Sequence, residues 1–247
     1  MDFPSDLVNL LKDAARVAAL TGAGVSQESG LRTFRDAQVG LWAQYRPEDL
    51  ATPDAFVRDP KLVWDWYAWR REAIKGTLPN AGHRALAAME RHIPDFTLIT
   101  QNVDGLHRVA GSVNVLELHG NITRVRCFEC GAFAGTWGDD SQSVPRCAQA
   151  ACRGLLRPDV VWFGESLPPA ELHKAVSATH QCQVFFSIGT SGLVQPAASL
   201  AHEAHSNGAV VVEINGDATP LTPSVDFAFR GRSGEILPGL VRAVWGE

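Results

Sequence analysis

Six short, largely apolar runs punctuate the chain, at residues 17–20, 97–100, 115–118, 160–163, 184–188 and 210–214, and each ends in a polar or glycine-containing segment. Runs this short that lack an apolar/polar alternation read as strands buried on both faces, the environment of a parallel sheet covered by helices. Helical apolar spacing fills several of the intervals, at residues 83–91, 169–179 and 196–207. A further helix over residues 5–15, with Leu7, Leu10, Leu11, Ala14 and Ala15 on its apolar side, feeds the first strand. Strand and helix in alternation predict an α/β fold built on a parallel, doubly wound sheet. Ligands of such sheets sit beyond the carboxyl ends of the strands.

Two stretches break the rhythm. Residues 37–80 are rich in tryptophan and charge, carry no strand signal and read as a helical insertion. Residues 123–157 hold four of the five cysteines among Gly, Pro and Ser, with too little apolar material to fold without a staple. Cys127-x2-Cys130, then sixteen residues, then Cys147-x4-Cys152 has the paired spacing of a zinc ribbon, in which two knuckles close a tetrahedron. Four thiolates leave no open position, so the metal would be structural. Cys182, ahead of a buried strand, reads as a buried apolar residue.

A net charge of -5 with scattered basic residues excludes the basic stripe that nucleic acid or an anionic membrane surface requires. No apolar run approaches the roughly 18 residues that span a bilayer. The acidic start of the chain does not read as a signal peptide, which predicts a cytoplasmic protein whose cysteines are ligands or buried thiols rather than disulfides.

Chemistry concentrates at the strand ends. Gly22-Ala23-Gly24 follows the first strand, where glycines let a backbone approach a pyrophosphate. The strict dinucleotide fingerprint fails, because position 27 is Gln27 and no acidic residue about 20 positions on closes a second strand. Alone, the glycine pair is as readily a tight turn as a binding loop. A long polar loop follows, containing Ser26, Glu28, Arg32, Phe34, Arg35 and Asp36. Gln101-Asn102-Val103-Asp104, His119-Gly120-Asn121, Gly189-Thr190-Ser191 and Asn215 end four further strands. Each set taken singly suits a turn or a helix cap. The same placement at four strand ends points to one convergent site.

At these residues the chain resembles the sirtuin family, over nearly its whole length and in the family's motif order. The resemblance implies a Rossmann-like domain from residues 1–36, 81–122 and 158–247. It also implies a small domain from the helical insertion 37–80 and the zinc insertion 123–157, with NAD and an acyl-lysine peptide in the cleft between the two. Carried over by position, Gly22, Ala23, Gly24 and Ser26 would face the pyrophosphate, and Phe34 and Arg35 would cover the nicotinamide end. Gln101, Asn102, Val103 and Asp104 would hold the ribose and carboxamide. Gly189, Thr190, Ser191, Asn215, Gly216 and Asp217 would hold the adenosine side. His119, with Asn102 and Asp104, would be catalytic, since a ribose hydroxyl must lose a proton near neutral pH and imidazole suits that task. Val161, Phe163, Gly164, Glu165 and Val194 would line a peptide groove.

Tyr67 and Arg70, three apart on a helical stretch, share a face that suits a carboxylate. The resemblance extends here to the branch that removes succinyl and malonyl groups, and Ala51 matches its small residue beside the acyl chain. The expectation is therefore a monomeric NAD-dependent protein-lysine deacylase with one structural zinc, favouring acidic acyl groups. General deacetylation, ADP-ribosyl transfer, a Rossmann oxidoreductase and a silent NAD and zinc binding module are the alternatives.

Overall fold

The computed structural model describes residues 2–31, 44–136 and 143–247. Its strands are β1 (Arg16–Thr21), β2 (Asp95–Thr100), β3 (Val115–Glu117), β4 (Gly120–Cys127), β5 (Phe133–Thr136), β6 (Leu156–Val160), β7 (Val184–Ile188), β8 (Val210–Asn215) and β9 (Phe227–Arg230). Six of them form a sheet in the order β3-β2-β1-β7-β8-β9, and every pairing in it is parallel. The chain runs outward from β1 to one edge, then returns to the other side at β7, so β1 and β7 flank the point where strand order reverses. A crevice opens at that point in sheets of this kind.

Alternate residues of each central strand feed opposite cores. Val17 and Ala19, with Leu98, Phe186 and Val212, pack against α1 (Ser5–Asp13), α6 (Ala81–His92) and α10 (Ser233–Trp245) through Leu7, Leu86, Met89 and Leu240. Ala18 and Leu20, with Ile99, Phe185 and Val211, pack against α8 (Pro169–Gln181) and α9 (Ser199–Ser206) through Ala175, Leu200 and Ala204. Burial on both faces is why these strands read as unbroken apolar runs.

A third core lies outside the parallel sheet. Phe56 of α4 (Pro53–Arg58) and Trp64, Trp66 and Tyr67 of α5 (Pro60–Ile74) pack with Ile122 and Val125 of β4, Leu156 and Val160 of β6, and Trp162. Both helices start with a side-chain cap and a proline in the first turn. Thr52 Oγ1 accepts from the Ala55 N–H at 3.1 Å and Asp59 Oδ1 from the Leu62 N–H at 3.0 Å. Thus the helical insertion, which also contains the short α3 (Pro47–Leu50), and the cysteine-bearing segment bury their apolar residues against each other.

Residues 160–163 are not a strand of the parallel sheet. The strand lies earlier, at β6, and pairs antiparallel with β4 in a separate three-stranded sheet of order β5-β4-β6. Its sequence, Leu-Arg-Pro-Asp-Val, hides it because its charges are neutralised on folding. Arg157 bonds Glu165, and Asp159 accepts from Arg124 Nε at 2.9 Å. Pro158 falls where the β4 register shifts, so its missing N–H breaks no regular ladder. β4, β5, β9 and α10 also go unassigned in the sequence reading, although α10 carries Ile236, Leu237, Leu240, Val241 and Val244 at helical spacing. The segment boundaries read at 122/123 and 157/158 fall inside β4 and β6.

Candidate active site

The ends of β1 and β7 are welded by backbone. Gly22 N donates to Ile188 O at 3.0 Å, Gly24 N to Gly189 O at 2.8 Å, and Gly189 N to Ile214 O at 2.9 Å. A Cβ on Gly24 would lie 2.8 Å from Gly189 Cα, and Gly189 has φ +59°. Glycine is therefore needed first for two loops to touch. Ala23 opens the short helix α2 (Ala23–Gln27) that carries Ser26. Beside these loops lies a cavity of about 360 Å³, walled by Gly24, Gln27 and Glu28, by Gly189, Asn215 and Gly216, and by Gly231, Arg232 and Ser233. The sequence reading missed this last wall. Glu28 Oε1 accepts from Ser233 Oγ and Gly234 N, both at 2.9 Å, a contact between positions too far apart in the chain for any local pattern to reveal.

Thr190 ties the two halves of the crevice together. Its hydroxyl accepts from Gln101 Nε2 at 3.1 Å and its carbonyl from Asn215 Nδ2 at 3.1 Å. Ser191, Gly216 and Asp217 are exposed beside it.

Behind Gly22, a buried polar chain organises the end of β2. Asn102 Nδ2 donates to Gly22 O at 3.0 Å and to Ser26 Oγ at 3.2 Å, and Ser26 Oγ donates to Asp104 Oδ2 at 2.7 Å. The Leu106 N–H holds the other oxygen of Asp104 at 2.9 Å. Burial raises the Asp104 pKa, against these two donors. Val103 accepts from the Ile122 N–H at 2.9 Å through its carbonyl. Two histidines that the sequence reading left unassigned lie underneath, His83 on α6 and His107 on α7 (Leu106–Val109), with ring centroids 4.8 Å apart. His107 Nε2 meets Thr21 Oγ1 at 2.9 Å. Burial pulls His83 down to about 4 and His107 to about 3, so both stay neutral at working pH.

His119 sits in the turn between β3 and β4. Gly120 makes that turn possible, with φ +79° and a place for Cβ only 2.1 Å from Asp159 O. The ring Nδ1 meets Gln101 O at 3.0 Å. A carbonyl only accepts, so Nδ1 carries the proton and Nε2 keeps its lone pair. Burial lowers the His119 pKa from 6.5, with the Gln101 carbonyl opposing. The turn is anchored by the buried carboxylate of Glu117, which accepts from Asn121 Nδ2 and pairs with Arg124 Nη1, both at 2.8 Å.

Residues 161–165 link this turn to the small core. Val161 N donates to His119 O and Phe163 N to Ala51 O, both at 2.9 Å. Phe163 and Val194 expose apolar surface, and Gly164 takes φ +86°. The Glu165 side chain is committed elsewhere: it accepts from the Trp162 N–H at 2.8 Å and pairs with Arg157, and these donors lower its pKa against the effect of burial. Ala51 and Tyr67 are buried. Tyr67 and Arg70 share α5, and the Arg70 guanidinium lies 5.0 Å from the Trp66 ring centroid and 5.7 Å from that of Tyr67. Desolvation lowers the Arg70 pKa. Phe34 and Arg35 lie outside the described residues.

The sulfurs of Cys127, Cys130, Cys147 and Cys152 lie within 4.8 Å of one another, with 3.5 Å between Cys127 and Cys152 and 3.8 Å between Cys130 and Cys147. Tetrahedral zinc with bonds of about 2.3 Å sets its sulfurs about 3.8 Å apart, so the quartet fits a closed, structural zinc site. Gly154 permits it, since a Cβ there would come within 3.0 Å of Cys127 Sγ. Cys182 is buried, as expected, and burial pushes its thiol up to about 11.

The Sir2 family, compared as a whole, matches residues 22–196. This chain belongs to the Sir2 family. The Sir2 chain is 51% identical over 218 residues to the NAD-dependent protein deacylase of Aquifex aeolicus, covering 88% of this chain and 90% of that one. A solved Sir2 homologue in complex with NAD superposes with a TM-score of 0.92 at 46% identity, over 98% of this chain and 94% of the other. A Sir2 homologue mutant in complex with 2′-O-acetyl ADP ribose superposes with a TM-score of 0.89 at 46% identity, over 98% and 96%.

Proposed function

We propose that this Sir2 chain removes acyl groups from lysines of proteins, spending NAD and releasing nicotinamide and 2′-O-acyl-ADP-ribose. The observation that carries the reading is the His119 ring. The Gln101 carbonyl fixes its tautomer, and the same Gln101 is tied through Thr190 to the glycine loops. Gly22, Gly24, Gly189 and Asn215 form the wall that receives NAD, with residues 231–233 at the adenosine side. Asn102 and Asp104, cross-braced by Ser26, hold the nicotinamide ribose and carboxamide. Departure of nicotinamide builds positive charge at the ribose C1′, which the acyl oxygen captures. Fixed amide and carboxylate groups assist by orientation and electrostatics. His119 Nε2 then takes the proton of the ribose hydroxyl that attacks the acyl carbon.

The acyl-lysine peptide lies as an extended strand between residues 161–164 and Val194, held by backbone. Support for two domains comes from the cores. The parallel sheet with its flanking helices forms the NAD-binding part, and the described residues of 37–80 and 123–157, joined by Ile122, Val160 and Trp162 from the flanking chain, share the core of a small domain stapled by zinc at its cysteine end. The Glu165 carboxylate braces Arg157 and the Trp162 N–H beside the peptide groove. No helix of the described residues is long and apolar enough to cross a membrane. Five thiols free of disulfides suit a reducing compartment such as the cytoplasm.

For the acyl group, Tyr67 and Arg70 favour a distal carboxylate, as in malonyl or succinyl. Arg70 lays its guanidinium near the Trp66 and Tyr67 rings, and a guanidinium fork beside a phenol hydroxyl suits a carboxylate at the tip of an acyl chain. Arg70→Met should weaken desuccinylation about ten- to a hundredfold in kcat/KM, far more than deacetylation, because only the acidic chain loses its partner. Equal losses on both peptides would reduce the reading to general deacetylation.

A further inference from the structure

Trp162 follows β6 and is sealed into the small core at 2% exposure. It is fixed on several sides. Its backbone N–H donates to Glu165, and Arg157 lays its guanidinium over the indole 3.3 Å from a ring centroid. Arg157 is itself held by Glu165 and by the Val160 carbonyl at 2.7 Å. The indole has one polar atom left, an N–H that only donates. It lies 3.0 Å from the Tyr67 hydroxyl.

That bond has a direction. Indole nitrogen cannot accept, so the phenol oxygen is the acceptor and the phenol proton must turn elsewhere. Among the described residues, Trp162 is the hydrogen-bond partner of this hydroxyl. A buried donor is costly to leave unmade. Burial also pushes Tyr67 up to about 12, so the phenol keeps its proton at any working pH.

We propose that Trp162 is a positioning residue for acyl selectivity: its indole N–H occupies the acceptor side of Tyr67 and so commits the phenol proton to the distal carboxylate of an acidic acyl chain. The proposal rests on the reading that Tyr67 and Arg70 receive that carboxylate. An acetyl tip has no such acceptor and gains nothing from the arrangement.

Trp162→Phe keeps a ring over Arg157 and deletes the N–H. It should lower kcat/KM for succinyl- and malonyl-lysine peptides roughly two- to tenfold, the worth of one oriented hydrogen bond, while deacetylation changes far less. In a Tyr67→Phe background the same change should add almost nothing, because the hydroxyl it acts through is gone. Should Trp162→Phe fold poorly, benzothienylalanine at position 162 preserves the bicyclic volume and deletes only the N–H, with the same outcomes expected. Equal losses for all three acyl peptides, or an undiminished effect in the Tyr67→Phe background, would overturn the proposal. Arg70→Met measured alongside separates the failures. Acid-selective loss there without one at Trp162 removes this inference alone, and no acid-selective loss at Arg70 removes both.

Discussion

His119 illustrates how much a single hydrogen bond decides. With Nδ1 donating to the Gln101 carbonyl, the basic lone pair is left on Nε2 without any titration event. Because burial lowers its pKa from 6.5, the ring is already neutral at neutral pH. The kcat/KM profile should therefore be flat there and decline only as pH falls below the ordinary imidazole value. A decline centred above pH 6.5 would contradict the assigned environment. The buried pair His83 and His107 answers to pH differently, through stability. Their folded pKa values, about 4 and about 3, lie below the unfolded 6.5, so the unfolded chain takes up protons that the fold refuses. Stability is full above pH 6.5 and is lost as pH falls from there toward the folded values, by about 2 kcal/mol per histidine at pH 5. Urea unfolding at pH 7.5 and pH 5 measures this, and His107→Asn should shrink the difference by about 2 kcal/mol. Nothing in the spacing of these two histidines announces them, because their role comes from where α6 and α7 meet.

At the scale of elements, what the sequence reveals depends on whether a segment's partner is local. The central strands could be read because burial on both faces leaves unbroken apolar runs, and the cysteine pairs because each knuckle is a short local turn. β6 could not, since Arg157 and Asp159 look like surface until Glu165 and Arg124 neutralise them. Residues 231–233 escaped for a related reason: their partner Glu28 lies at the other end of the chain. The cysteine segment carries its own prediction. Purified without chelator, the chain should hold about one zinc, and Cys147→Ser should lose it together with folded yield, because the β5-β4-β6 sheet has little apolar material of its own. Metal analysis with thermal unfolding measures both, and full stability without zinc would show that the four sulfurs lie together for packing alone.

In the whole molecule, the proposed function assembles its chemistry between a parallel sheet, which would supply the glycine loops, Asn102, Asp104 and Asn215, and a small core, which would supply Tyr67 and Arg70. Residues 161–163 join them by backbone, through His119 O on one side and Ala51 O on the other. Such a joint brings two substrates together from two bodies, and the account predicts that both are consumed in one reaction. The direct test is to incubate the protein with NAD and matched acetyl-, malonyl- and succinyl-lysine peptides, then quantify O-acyl-ADP-ribose by mass. One O-acyl-ADP-ribose and one nicotinamide should appear for each lysine freed, with the acidic acyl peptides turned over faster. Freed lysine without that product, or NAD reduced with no nicotinamide released, would contradict the account.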